Sequence, residues 1–300
     1  MKMVERVCPV CERKAPSTVT LPANFDLTKL DAQGFASRKF PEHMHLQMHT
    51  CSTCDVLFAN PALDSSDLVS AYTDASFESS QEADDAGFTY ESYLRPRLAK
   101  LGPLQSALDV GCGNGNFLLR LQQLGYQQVT GVEPSLAPIQ VADKAIRPFI
   151  KHTAYHNELF RDASFNLVCC FMTLEHVSSP GELMRDFARI LQSKGAVYCV
   201  THNYRSFLAR LMGTKSPIYD VEHMQLFSPI SLKQLLSNAG FQDVEVFSIS
   251  NKYPLSYWIK LLPLPKPLKI LLIKMLIFIK LDSIKIPLNV GNMAVIGRKP

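Results

Sequence analysis

"LDVGCGNGNF", Leu108 to Phe117, decides the reading of this chain. Gly111, Gly113 and Gly115 alternate with larger residues between a short apolar run and "LLRLQQLG", which is patterned as a helix. A glycine-rich turn between strand and helix lets a ligand come close to the backbone. In open α/β sheets that happens at the carboxyl edge of the strands. The spacing is G-x-G-x-G, not the G-x-G-x-x-G of dinucleotide sites. Twenty-two residues beyond Gly111, a second apolar run ends in "GVEPS". This puts Glu133 at a strand terminus, where a carboxylate can accept both hydroxyls of a ribose. Glycine turn plus strand-end acid points to a nucleoside ligand; a tight turn beside an unrelated surface acid is the competing explanation.

The pattern around this motif repeats. Apolar runs at Ala107–Val110, Val129–Val132, Leu167–Phe171 and Ala196–Val200 alternate with helical stretches at Asn116–Leu124, Leu136–Ala145 and Gly181–Gln192. Such alternation predicts a parallel sheet with crossover helices. Upstream, "LFANP" reads as a short strand ended by Pro61, and a helix is expected to be capped near Asp64–Ser66. Thr73 to Gly87 is polar and acidic and reads as a loop or mobile helix; "YESYLRPRLAKLG" follows as a helix interrupted at Pro96. Tyr72, Phe77, Tyr90 and Tyr93 would belong to a lid, or simply pack a helix. "FQDVEVF" reads as a strand and "GNMAVIGRKP" as a final edge strand.

Length and composition agree with one main domain plus attachments: 300 residues, 47% apolar, with charges of mixed sign. A net charge of +4, with dispersed basic residues, excludes a duplex-binding surface as the default, so no nucleic-acid partner is expected. "MKMVERVCPVCERK" lacks the apolar core and cleavage site of a secretory signal, and a cytoplasmic protein is expected.

Cysteine usage fits that compartment. Cys8 and Cys11 form "CPVC", and Cys51 and Cys54 form "CSTC". Each knuckle brings two thiolates to one tetrahedral ion, and two knuckles complete a closed zinc site, structural because no coordination position is left open. The thirty-nine residues from Glu12 to Thr50 exceed the gap of short ribbons, so a hairpin or loop must fill it; two unrelated cysteine pairs are the alternative. His43, His45 and His49 alternate along a probable strand and read as surface or packed residues. Cys112, Cys169, Cys170 and Cys199 sit in or beside apolar runs as small buried hydrophobes.

With these residues in place, the chain resembles the class I S-adenosylmethionine-dependent methyltransferases. "LDVGCGNGNF" is similar to their first motif and "GVEPS" to the acidic end of their second strand, while "SFNLVCCFMTLEHV" and "LMRDFARILQSKGAVYCVT" resemble their fourth strand, next helix and fifth strand. The resemblance covers about two-thirds of the chain. It implies an α/β fold with a Rossmann-like seven-stranded sheet and helices on both faces, plus the small zinc ribbon. It implies S-adenosyl-L-methionine as cofactor: Asp109, Gly111 and Gly113 at the methionine end, Gly115 also among the cofactor-binding residues, Glu133 on the ribose, and Asn157 or Glu158 near the adenine. Asn166 departs from the family's usual Asp, a change expected to touch a local cap. The corresponding division is a zinc-ribbon-like module at 1–60, a helical linker or lid at 61–100 and the methyltransferase domain at 101–300.

A narrower resemblance, carried by the two knuckles, "LFANP" and "EHMQLFSPISLKQLLSNAGF", is to zinc-ribbon-bearing methyltransferases that include sugar C-methyltransferases and enzymes of surface-polysaccharide clusters. It implies that Glu222 and His223, with His176, face the acceptor, and that the acceptor is a nucleotide-linked or glycan sugar. A pocket-lining or loop role is the plainer explanation for these histidines. Tyr204, Tyr219 and His202 are weaker candidates. Methyl transfer needs alignment above all, and a base only if the nucleophile starts protonated.

One insertion, at about 250–288, stands apart. "WIKLLPLPKPLKILLIKMLIFIKLDSIKIPL" is strongly apolar, yet Lys260, Lys266, Lys269, Lys274 and Lys280 keep any uncharged run well short of the ~20 residues that span a bilayer. A buried core or dimer helix is the expectation, and a peripheral membrane contact through 260–285 the alternative. Two rival functions follow: methylation of a lipid or quinone at a membrane surface, and a non-catalytic scaffold with a methyltransferase fold.

Overall fold

The computed structural model describes residues 2–24, 44–64, 66, 67, 73, 80–262 and 264–300. The chain starts with β1 (Met3–Val4), β2 (Ser17–Leu21), β3 (Met48–Cys51), β4 (Leu57–Ala59) and β5 (Ala62–Leu63). Helix α1 (Ser80–Leu94) passes into a 3₁₀ turn over Arg95–Lys100, where Pro96 divides the run as its sequence predicts. Then come β6 (Ser106–Val110), α2 (Asn116–Gln123), β7 (Gln128–Glu133), α3 (Leu136–Gln140), β8 (Ile150–His152), β9 (Phe165–Phe171), α4 (Pro180–Ile190) and β10 (Leu191–His202). The remainder is α5 (Phe207–Met212), β11 (Gln225–Leu226), α6 (Pro229–Asn238), β12 (Gln242–Ser248), β13 (Asn251–Pro254), α7 (Leu255–Leu261), α8 (Lys266–Phe278), β14 (Lys285–Leu288) and β15 (Asn292–Arg298).

Seven strands form the central sheet in the order β12-β15-β10-β9-β6-β7-β8. From β10 to β8 neighbours are parallel, and β15 is antiparallel to both β10 and β12. Strand side chains alternate between two cores, as a period of two requires. Leu108, Val168, Cys170, Val197 and Val295 pack with α4 and α6, whereas Ala107, Leu167, Cys169, Tyr198 and Ile296 pack with α1 and α2. Both faces are therefore covered, which is why the strands read as continuous apolar runs. The chain is a doubly covered α/β sheet.

Three sequence expectations change, and one open alternative is resolved. The last strand, β15, is not an edge: it lies between β10 and β12, and Asn292 to Gly297 are buried. Of the loop or helix expected before Gly87, the described part is helical from Ser80, because Ala86, Tyr90 and Leu94 give α1 a buried stripe at i, i+4 and i+8. Helix α3 stops at Gln140 and not at Ala145; the Asp143 carboxylate accepts the Ala145 N–H at 2.7 Å, offering the backbone a turn instead. Within the apolar insertion Tyr253 and Trp258 are buried, but α8 has no buried residue and so is not a core helix of this chain. His43, Tyr72, Phe77 and most of the helix expected after Asp64 fall outside the described residues.

The N-terminal segment is built into the body. Its four-stranded sheet, β11-β4-β3-β2, borrows β11 from the far side of the sequence. Its third core joins Leu46, Met48 and Leu57 to Tyr204, Val221 and Leu226.

Candidate functional site

The glycine loop leaves β6 between β7 and β9, at the point where the strand order reverses and open α/β sheets form a crevice. The N–H groups of Gly111 and Cys112 both donate to the Val132 carbonyl, at 2.9 and 3.1 Å. Gly111 and Gly113 have φ of +76° and +54°. A Cβ on Gly111 would lie 2.3 Å from Thr173 Oγ1, so this glycine lets the β9 exit close against the loop. A Cβ on Gly113 would meet nothing within 4 Å. That open side faces a cavity of about 1410 Å³ lined by Asp109, Gly111, Gly113, Glu133, His176 and His223 among others. Gly115 does not line it; its Cβ would come within 2.6 Å of Ile146 Cγ2, which makes it a packing position.

Two carboxylates flank the loop. Glu133 accepts the Gly113 N–H through Oε2 at 2.8 Å and the Ser135 N–H through Oε1 at 2.9 Å. Each oxygen keeps a second lone pair for a hydroxyl. Burial raises its pKa, partly offset by these two bonds. Asp109 is buried, and its Oδ1 has no hydrogen-bond partner. Burial, reinforced by the Glu133 charge, pushes its pKa up to about 8. An orphaned acceptor beside an open glycine and a ribose-competent acid is a donor set that fits S-adenosylmethionine: the ammonium would satisfy Asp109 and the ribose would reach Glu133. Asn157 lines the cavity, whereas Glu158 is exposed outside that lining. Asn166 lies on β9 and bridges strands, its Oδ1 accepting from the Ser106 N–H at 3.2 Å, where a local cap was expected.

A histidine cluster faces the same cavity. His176 donates Nδ1–H to the Glu222 carbonyl at 3.2 Å, and His223 donates Nδ1–H to the Ile218 carbonyl at 2.7 Å. Their ring centroids are 4.9 Å apart, and His202 lies 5.3 Å from His223. One ligand atom each from His176, Glu222 and His223 falls within 4.8 Å of the others, so the trio has the donors to hold a cation as well as to move a proton. Beneath them sits fully buried Glu175, accepting the Thr201 hydroxyl, the His202 N–H at 2.7 Å and His202 Nδ1 at 3.2 Å. Burial opposes its charge, but His202, aided by His176 and His223, holds its pKa at about 2. Burial, strengthened by His176, lowers His223 to about 4, and burial lowers His176 also. Glu175 escaped the sequence reading although it stands in "LEHV"; an acid beside a histidine at a strand end was the available signal.

The weaker candidates divide. His202 lines the cavity; Tyr204 and Tyr219 do not. The Tyr204 hydroxyl donates to Asp55 Oδ1 at 2.9 Å, and the Tyr219 ring packs edge-on to His45 at 6.3 Å. Of the four aromatic lid candidates, Tyr90 is described on the cavity wall, and Tyr93 stacks on Phe247 at 5.9 Å.

The cysteine cluster lies outside the cavity. Sγ of Cys8 is 3.5 Å from Sγ of Cys54, and Sγ of Cys11 is 3.9 Å from Sγ of Cys51; all four sulfurs lie within 4.8 Å of one another. A tetrahedral zinc with ~2.3 Å bonds needs sulfurs about 3.8 Å apart, so the set fits. Glu12 and Asp55, each following the second cysteine of its knuckle, share a left-handed φ of 55° and 60°. Both tie the knuckles to the body: Glu12 pairs with Arg185 at 2.6 Å and Asp55 with Arg205 at 2.5 Å.

A family model described as a methyltransferase domain matches residues 86–246, which run from α1 through the glycine loop to β12. The chain belongs to this methyltransferase family. Its chemistry is that of an S-adenosylmethionine-dependent methyltransferase. Among curated relatives, the ubiquinone biosynthesis O-methyltransferase of Marinobacter nauticus is 29% identical over 167 residues, 50% of this chain and 68% of that protein. The protein of the same name from Saccharophagus degradans is 27% identical over 148 residues, 45% of this chain and 62% of that one. A solved S-adenosylmethionine-dependent methyltransferase from Thermotoga maritima, titled a possible histamine N-methyltransferase, is similar with a TM-score of 0.48 and 19% identity, covering 73% of this chain and 92% of that chain. The methyltransferase match ends before the α7–α8 insertion, and no described helix is long and apolar enough to cross a membrane.

Proposed function

We propose that this methyltransferase acts on a small acceptor whose ring hydroxyl sits at the histidine cluster and whose remainder is apolar. The observation that carries this reading is the His176–His223 pair. With Nδ1–H committed to a carbonyl in each ring, Nε2 is the basic atom of the neutral form, and both residues line the cavity. His223 takes the acceptor's proton, His176 orients the acceptor, and Glu222 and Glu175 stabilise the positive charge that develops on the imidazole.

S-adenosylmethionine supplies the electrophilic methyl on a sulfonium. Asp109, Gly111 and Gly113 hold its methionine end and Glu133 its ribose, with Asn157 on the adenine side and Glu158 next to it in sequence. Zinc, held by Cys8, Cys11, Cys51 and Cys54, is structural and remote from the transfer. Alignment supplies most of the rate, since displacement at a sulfonium consumes charge.

Two observations favour an apolar acceptor of lipid or quinone type. One cavity wall is made by Tyr253, Tyr257, Trp258, Leu261 and Leu262, and the curated relatives above carry a quinone-pathway name. A nucleotide-linked or glycan sugar is the second reading, favoured by the adjacent Glu222 and His223 at the cavity. Incubation with radiolabelled donor and either a prenylated catechol in micelles or a set of nucleotide sugars decides between them. Label in the catechol supports the first reading; label only in a sugar replaces it with the second.

A further inference from the structure

The insertion presents an apolar surface that the other described residues leave exposed. Eleven of the twenty-one exposed large apolar side chains among the described residues lie between Leu262 and Leu288. On α8, Leu268, Leu271, Met275 and Phe278 recur at i, i+3, i+7 and i+10 and so share one stripe. Leu271, Met275 and Phe278 are 55, 56 and 88% exposed. Lys266 and Lys274 on α8, and Lys280 just past its end, are exposed as well. From Leu255 to Leu288 there are six lysines and one acidic residue, Asp282.

The insertion is firmly rooted. Strands β13 and β14 pair as its stalk, Trp258 donates its indole N–H to the Ile286 carbonyl at 3.0 Å, and Lys285 reaches Asp85 of α1 at 2.5 Å. Its inner side, Tyr257, Leu261 and Leu262, lines the catalytic cavity. A second exposed apolar element borders the same cavity: α5 turns Leu208 and Met212 into the lining while Phe207 and Leu211 are 82 and 69% exposed.

We infer that the α7–α8 hairpin docks this enzyme on an anionic membrane surface, its apolar stripe among the acyl chains and its lysines at the headgroups, with the cavity opening toward the bilayer. Helix α8, thirteen residues long, is about 20 Å in length. That is too short for a hydrocarbon core ~30 Å thick, so it lies in the interface instead of spanning it. Charge selects the bilayer over a second copy of the chain. A symmetric pairing through this face would bring the exposed Lys266, Lys274 and Lys280 of two copies together with Asp282 to offset them, whereas anionic headgroups complement all three. The inference goes beyond the acceptor reading, because docking needs neither acceptor nor turnover.

Flotation with phosphatidylcholine vesicles, with and without phosphatidylglycerol, tests it on the full chain. Wild type floats with the anionic vesicles at low salt. The triple variant Leu271→Ser, Met275→Ser, Phe278→Ser stays behind, and Lys266→Gln, Lys274→Gln, Lys280→Gln weakens binding about a hundredfold. Retained S-adenosylmethionine binding in both variants shows that each is folded. Wild type that fails to float at low salt overturns the inference. So does light scattering that finds a wild-type dimer which the serine variant converts to monomer, since a second copy would then be the occupant.

Discussion

Arg6 and Gln225 stand 219 positions apart and are bonded in space: Nη2 of Arg6 donates to Oε1 of Gln225 at 3.1 Å and to the Ser178 carbonyl at 2.7 Å. Gln225 in turn donates Nε2–H to the carbonyls of Leu174 at 2.5 Å and Val177 at 2.8 Å. The arm leading to Cys8 thereby braces both loops that carry the histidine cluster. Bonds from a charged donor of this kind are worth about 1.5–3 kcal/mol each. Arg6→Met should lower the melting temperature and cut kcat about tenfold through misplaced histidines, with S-adenosylmethionine affinity unchanged, because Asp109 and Glu133 lie on other strands. Unchanged kcat in a destabilised variant would reduce the network to a structural brace.

Zinc removal should act along the same path. Purified protein is expected to carry one zinc per chain, and Cys54→Ser to lose it. Metal loss frees the knuckles whose Glu12 and Asp55 anchor on Arg185 and Arg205, so stability and turnover should fall together. Elemental analysis beside a thermal melt checks this. Protein with well under one zinc per chain and an unaltered melt on chelation would remove the metal from the account.

Two neighbouring glycines should respond differently to a methyl group. Gly111→Ala drives Cβ to 2.3 Å from Thr173 Oγ1, so it should destabilise the fold. Gly113→Ala meets open space and costs only the ~1–2 kcal/mol of a left-handed alanine. It does, however, put a methyl on the cavity side. Titration calorimetry should find a folded Gly113→Ala protein with S-adenosylmethionine affinity reduced at least tenfold; wild-type affinity would mean that the cofactor runs elsewhere.

With Asp109 at the ammonium, as proposed, cofactor binding should be a proton-linked event. With its pKa pushed up to about 8 by burial and by Glu133, Asp109 is mostly protonated at pH 7. A cationic ammonium against it favours the carboxylate, so binding should release up to one proton at pH 6–7, and less as the pH rises through 8. Calorimetry in buffers of different ionisation enthalpy reads that number. An enthalpy independent of buffer at pH 7 in wild type, and equally in Asp109→Asn, would refute the assignment.

Much of this arrangement was legible because a covered parallel sheet writes itself as apolar runs, and because only a glycine turn tolerates the approach of Thr173 to Gly111. Glu133 was legible for the same reason, being a strand-end acid at the expected separation. What stayed hidden depends on distant pairing. No local pattern tells that β15 slips between β10 and β12, or that Arg6 finds Gln225. The exposure of α8 within the single chain was not legible, because an apolar arc says that a helix must be covered, not by what.

Acid response should separate the histidines from the rest of the fold. A free histidine titrates near 6.5, whereas His223 is held at about 4 by burial and by His176. Between those values the unfolded chain binds a proton that the folded chain refuses. Stability is thus fully present above pH 6.5 and falls as the pH drops toward 4, by about 3 kcal/mol for this group alone. His176 is lowered in the same sense. Glu175, held at about 2, adds a further loss as its unfolded counterpart protonates below 4.5. Urea unfolding at pH 7, 5.5 and 4.5 should show the midpoint falling in step, and His223→Gln should flatten the upper part of that slope. Activity should behave otherwise: a base that stays neutral to about pH 4 keeps its acid limb well below 6.5 for as long as the protein is folded. A midpoint constant from pH 7 to 4.5, or an activity limb centred at 6.5, would show that the His223 ring is open to water and is not the buried base described above.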